Sequence, residues 1–192
     1  MFLPRLVALS LLAASTTVMA DTIDVNLRDS SAQIQYKASM GRDALGKAEL
    51  HVGALYVNKH NLLGDFGLLV KDELGDSVPG FSVGVGLKGL VAQVTGNSLV
   101  HNNVSALALG GLVRYSPPAV HRLGIVGQVY LSPNVVTFGD ADRYAEAVGR
   151  VEFEMIPQAV IYVGYRRIGF GLKGQPYAIL DEGAHFGVRI SF

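Results

Sequence analysis

The sequence predicts an all-β fold: a transmembrane antiparallel up-and-down β-barrel of about ten strands, with about eight as the alternative. Three observations predict it. Apolar residues recur at every second position along most of the chain after residue 20, which is the period of a strand and not of a helix. The two faces produced by that alternation differ in kind: one is almost purely apolar, the other mixes both charge signs with Gly and Ser. The chain also ends inside the pattern. In HFGVRISF, the residues Phe186, Val188, Ile190 and Phe192 share one face, against His185, Gly187, Arg189 and Ser191.

Composition sets the bounds. Of the 192 residues 49% are apolar, and only 17% are charged, against roughly 25% in soluble domains. The formal charge is zero, so bulk electrostatics implies no polyanion and no nucleic-acid partner. There is no cysteine, which excludes disulfides, thiolate metal sites and a Cys nucleophile. Residues 1–20 read as a cleaved signal peptide. Arg5 precedes an apolar stretch from Leu6 to Ala14, and Val18-Met19-Ala20 supplies a small-x-small cleavage site. That stretch falls short of the ~20 residues that cross a bilayer as a helix. Cleavage removes one basic residue and no acidic one, leaving residues 21–192 as a single barrel domain of nearly neutral charge. The longest stretch without Asp, Glu, Lys or Arg, Gly89 to Val113, is broken by TGNS and HNN and is no transmembrane helix.

Taken in order, TIDVNLR sets Ile23, Val25 and Leu27 against Asp24, Asn26 and Arg28, and AQIQYK sets Ala32, Ile34 and Tyr36 against Gln33, Gln35 and Lys37. The phase changes across DSS, which predicts a tight turn, or a bulge in its place. KAELHVGALYV places Leu50, Val52, Ala54 and Tyr56 opposite Glu49 and His51. LLGDFGLLVK places Leu62, Phe66, Leu68 and Val70 opposite Asp65 and Lys71. GFSVGVGLKG and SALALGGLVRY continue the alternation, with Lys88 and Arg114 on the polar side. In the second half, HRLGIVGQVYLS carries Arg122 and Gln128 on that side, RYAEAVGRVEFEM carries Glu146, Arg150, Glu152 and Glu154, and AVIYVGYRR carries Arg166. Most segments approach the ~9–11 residues of a tilted membrane strand.

A soluble sandwich alternates too. A closed barrel is favoured because its last strand pairs with its first and leaves no edge. Connection lengths also alternate, counted back from Phe192. GLKGQPYAILDEG, SPNVVTFGDAD and TGNSLVHNN are long, MIPQ and SPPAVH are short, and VNKHN is an exception to the rule. Phe192 then falls at a membrane interface, among an aromatic girdle.

Four stretches, IDVNLRDSSAQIQY, ALALGGLVRYSPPA, FGDADRYAEAVGRVEFEMIPQAVIYVGYRRI and LDEGAHFGVRISF, resemble the YfaZ family of small outer-membrane proteins. The resemblance covers most of the chain after residue 20 and is most specific in its second half. It implies a bacterial outer-membrane β-barrel and carries no catalytic site. The ending Phe186, Val188, Ile190 and Phe192 resembles the C-terminal signature by which the barrel assembly machinery recognises its clients.

Several motifs look chemical without the context chemistry needs. Gly80-Phe81-Ser82-Val83-Gly84 matches a nucleophile elbow, yet Ser82 lies in a strand with no helix following. Gly84-Val85-Gly86-Leu87-Lys88-Gly89 matches a dinucleotide fingerprint outside any βαβ unit. Glycines facing the inside of a narrow barrel make room for bulky neighbours, which is the simpler reading. His51, His60, His101, His121 and His185 show no metal-binding spacing. Asp140, Asp142 and Glu146 lack the ordering of a calcium loop, so no metal and no cofactor is expected.

The polar face is the candidate site. Directed inward it collects five acids, Glu49, Asp65, Glu146, Glu152 and Glu154, and seven bases, Lys71, Lys88, Arg114, Arg122, Arg150, Arg166 and Arg189. Charges confined in a lumen must pair or stay hydrated. Two readings stand: a cross-barrel ion-pair network that fills the interior, or a charge-lined pore with slight anion preference. The small bore of eight to ten strands favours the first. The expected function is that of a small, non-enzymatic, monomeric outer-membrane barrel with a structural, envelope or surface-interaction role, in contact with outer-membrane lipid. A narrow porin is the alternative. An envelope enzyme at the rim would need residues such as His101, Asp140, Asp142 and His185 to cluster there.

Overall fold

Antiparallel pairing aligns the two faces of alternating strands across a whole sheet, so one side of the sheet becomes apolar and the other charged. The computed structural model describes residues 21–43, 46–58, 61–75, 78–95 and 101–192, and its strands form one closed sheet. They are β1 (Thr22–Leu27), β2 (Ser31–Asp43), β3 (Gly46–Val57), β4 (Asn61–Glu73), β5 (Phe81–Thr95), β6 (His101–Tyr115), β7 (Leu123–Ser132), β8 (Thr137–Gly139), β9 (Ala141–Ile156), β10 (Ala159–Leu172) and β11 (Ala178–Ser191). Each barrel strand pairs with the next, and β11 returns to β1 in the register Thr22↔Ser191 to Leu27↔Phe186. Ten strands thus close the wall. The eleventh, β8, is a short strip that pairs with residues 104–106 of β6, beyond the end of β7. The expected signal peptide and His60 lie outside the described residues.

Both ambiguities at the N-terminal end resolve. β1 and β2 belong to the wall, so the barrel has ten strands and not eight. DSS is a turn rather than a bulge: Asp29 and Ser30 form its tip, and the Arg28 N–H donates to the Ser31 carbonyl at 2.8 Å. At the other end, Phe192 and Asp21 exchange two backbone hydrogen bonds of 2.9 Å each, so the final residue is a paired rung of the ladder.

The outer face is the apolar one. Phe66 (64% exposed), Val85 (65%) and Phe192 (66%) point away from the lumen, together with the outward series of every barrel strand. On β5 that series runs from Phe81 to Val91, a height of about 25 Å at ~3.3 Å per residue and ~40° tilt, which matches the apolar band of a membrane barrel. Aromatic side chains mark its borders. Tyr36, Phe153, Phe192 and the Phe81–Tyr115 pair (ring centroids 4.7 Å apart) lie toward the rim that holds Asp21 and Phe192, and Tyr56, Phe138 and Tyr177 toward the other. Among the described residues no helix is long and apolar enough to cross a membrane. Closure without a free edge predicts resistance to detergent unfolding. The unboiled protein should migrate differently from the boiled protein on a denaturing gel, and identical mobility would contradict the closed wall.

Two expectations need correction. Connection lengths do not separate the rims: 116–122, at the rim of the chain ends, is longer than 173–177 at the far rim. The segment GLKGQPYAILDEG is mostly strand, not loop. In β10 and β11 the residues Phe170, Leu172 and Leu180 turn inward and are buried, while Gly169 and Gly171 face out beneath Tyr177 and Arg143. Polarity is inverted there, so the apolar-out pattern stops short of the strand ends.

Candidate functional site: a lumen filled above and open below

The inward face divides into two halves. Toward the far rim it is lined by large apolar side chains, and Leu55, Leu63, Leu90, Val94, Ile168 and Phe170 pack there into one buried cluster that also takes in Tyr130 and Tyr144. Glycines make the room. Gly86 faces the lumen, and a Cβ at that position would come within 2.7 Å of the Tyr130 hydroxyl. Both chance motifs of β5 therefore have a packing role. Ser82 is the second residue of β5, which runs to Thr95, and among the described residues no helix follows it before β6.

Below the apolar cluster lies a buried ion pair. The Lys88 ammonium donates to Glu146 at 2.7 Å and sits 4.4 Å from the centre of the Tyr130 ring, and the Tyr144 hydroxyl donates to the same carboxylate. On the β1–β2 side, Arg166 is 2% exposed. Its guanidinium donates to Asp181 at 2.7 Å from Nε and to Asn26 at 3.2 Å, and also to Gln33. Asn26 in turn donates to Gln33 at 2.8 Å, and Arg28 donates to the second Asp181 oxygen at 2.9 Å. The second terminal nitrogen of Arg166 lies 2.6 Å from Asp181 and donates to the Ser31 hydroxyl at 3.5 Å, so each of its three nitrogens meets a fixed acceptor, which is what a buried guanidinium needs.

A larger cluster occupies the lower half. Asp24 on β1 faces Lys37 and Arg189, each at 3.4 Å, and Arg150 at 3.8 Å, and it accepts a hydrogen bond from the Tyr162 hydroxyl. Glu152 on β9 faces Arg114 at 2.9 Å and Arg150 at 2.8 Å, and it accepts from Arg189. Arg114 reaches Glu152 from β6 by passing over Gly124, where a Cβ would come within 3.2 Å of the guanidinium. Glu49 and Lys71 pair at 2.5 Å nearby. The cations of this cluster, with Glu49 and Lys71, border a cavity of about 740 Å³ that extends from Gly75, Gly80 and Ser116, at the rim of the chain ends, to Lys88 and Tyr130.

Ten of the twelve expected lumen charges lie on this inner face: Glu49, Asp65, Lys71, Lys88, Arg114, Glu146, Arg150, Glu152, Arg166 and Arg189. Arg122 does not. It is exposed in the 116–122 turn, ahead of the first residue of β7, where strand alternation has not begun. Glu154 is half-buried toward the lower end of β9. Sequence reasoning left out Asp24 and Lys37, although both fall on the polar side of their strands. It also left out Asp181, which keeps the inward parity of His185 and Arg189 but falls in the stretch GLKGQPYAILDEG read as a connection; the register shift lies just beyond it, at Leu180. Among the described residues the histidines do not assemble. His51 approaches Asp65 at 3.5 Å, His185 packs edge-on against Tyr162 with ring centroids 5.9 Å apart, and His121 is exposed in a turn. Asp140 lies at the far rim and accepts from the Asn103 N–H at 3.0 Å, away from buried His185. Among the described residues no three His, Asp or Glu side chains come together as a metal site.

The family model described as YfaZ precursor covers residues 5–192. No curated protein matches. Among solved structures, a chain from work on the in-meso crystallization of membrane proteins is 13% identical, over 90% of this chain and 83% of its own length, with a TM-score of 0.44.

Proposed function

Since the chain belongs to the YfaZ family, we propose that it is a small, non-enzymatic barrel of the bacterial outer membrane with a structural or surface-interaction role. On this reading it is monomeric, its apolar belt contacts outer-membrane lipid, and the ending Phe186, Val188, Ile190 and Phe192 is read by the barrel assembly machinery. The rim with Asp21 and Phe192 faces the periplasm. The observation that carries the reading is the lumen: its upper half is packed with apolar side chains above the buried Lys88–Glu146 pair. Among the described residues the cavity lining ends at Lys88 and Tyr130, and the polar groups above it on the β1–β2 side, Arg166, Asp181, Asn26 and Gln33, are buried and bonded to one another, so a passing ion would lose its hydration without a free partner.

The test is conductance of the purified barrel in a planar bilayer. The expected result is no ion-selective step current. Stable unitary steps abolished by denaturing the protein would favour the narrow porin instead.

A further inference from the structure

The charges of the lower lumen do not balance locally. Four cations, Lys37, Arg114, Arg150 and Arg189, surround two carboxylates, Asp24 and Glu152. The two kinds of group are also placed differently. The Asp24 and Glu152 side chains are 2% and 1% exposed, behind the cations, while Arg114 remains 35% exposed on the cavity side. All four cations line the cavity of about 740 Å³. The neighbouring Glu49–Lys71 and Lys88–Glu146 pairs are each neutral in sum, and Asp65, a further inner carboxylate, is buried 3.5 Å from His51 and does not line the cavity. Lys47, Asp72 and Glu73 at the mouth are exposed, and water screens them.

We infer that this cavity binds a small doubly charged oxyanion, a phosphate or a phosphate monoester, against the wall formed by Lys37, Arg114, Arg150 and Arg189. Cations that outnumber the carboxylates on a partly desolvated wall repel one another unless an anion neutralises them. Guanidinium groups present their N–H donors in a plane that matches phosphate oxygens. The barrel wall separates the cavity from the bilayer, so the anion arrives from the aqueous phase at the rim of the chain ends. The upper packing then makes the cavity a blind binding chamber, open on one side only.

The test is calorimetric titration of inorganic phosphate into the folded full-length barrel in uncharged detergent at low salt. Binding with a Kd on the order of 1 mM is expected. Arg114→Gln, which removes the most exposed cation, should weaken it about fivefold. Glu49→Gln, which releases Lys71 to the cavity, should strengthen it by a similar factor. Each variant is first checked for the heat-dependent gel shift, and Lys37→Gln replaces Arg114→Gln if the latter fails to fold. Opposite responses support the site. Absence of phosphate binding to the unaltered protein overturns it, and so does any other response of the two variants.

Discussion

Replacing Arg166 with Met should lower the stability of the folded barrel by about 3–5 kcal/mol, the largest effect expected of a single lumen substitution. Met keeps much of the volume and removes the charge. Asp181 is 3% exposed and would keep only Arg28, which sits near the surface, as its cation. The oxygens of Asn26 and Gln33 would lose their guanidinium donor as well. Most of the loss arises because a buried carboxylate is left under-compensated, not because the original pair was strong. The double variant Arg166→Met with Asp181→Asn should therefore recover part of the loss, since no bare charge remains. Guanidinium unfolding of the protein folded into lipid vesicles measures both. Equal midpoints for the single and double variants would mean that shape, not charge, governs this part of the lumen.

Replacing Leu87 with Arg should cost about 2–4 kcal/mol in a bilayer, although the side chain is already on the surface. Leu87 is 57% exposed on the outer face, between Leu68 of β4 and Leu109 of β6, at mid-height of the apolar belt. On a water-facing surface the same change would stay within about 0.5 kcal/mol. The size of the effect thus reports the solvent that the outer face meets. An unchanged unfolding midpoint in vesicles, with the barrel still closed, would remove the membrane assignment while leaving the fold intact.

Much of the wall could be read from alternation because each outward apolar residue obeys the same rule whichever strands flank it. Ile23, Val52, Phe66, Val85, Leu109, Val129, Phe153, Val163 and Phe186 all follow the parity of their own segments. The inner charges on the same strands follow by parity as well, which is why Glu152, Arg166 and Arg189 were identifiable without partners. Arg122 shows where the rule ends: it governs strands, and the residue belongs to a turn. The upper lumen was illegible for a different reason. Leu63, Leu90, Phe170 and Leu172 are apolar and face inward, so the hydrophobic signal no longer distinguishes lipid from core. Asp181 was missed for another reason: it keeps the parity of His185 and Arg189, but the Gly and Pro residues ahead of it make its stretch read as a connection and not as a strand.

What the sequence determined by itself is therefore the repeating part: an all-β chain with one apolar face and one charged face. Backbone period is local, and two residues suffice to express it. The tertiary structure alone decided which charges meet. Asp24 and Arg150 are distant along the chain and come together only through closure of the wall. The same closure gathers apolar side chains from β3 to β11 into one layer and leaves the cationic chamber beneath it. Those arrangements depend on strand number and on stagger around the barrel, which are properties of the closed ring and of no single strand.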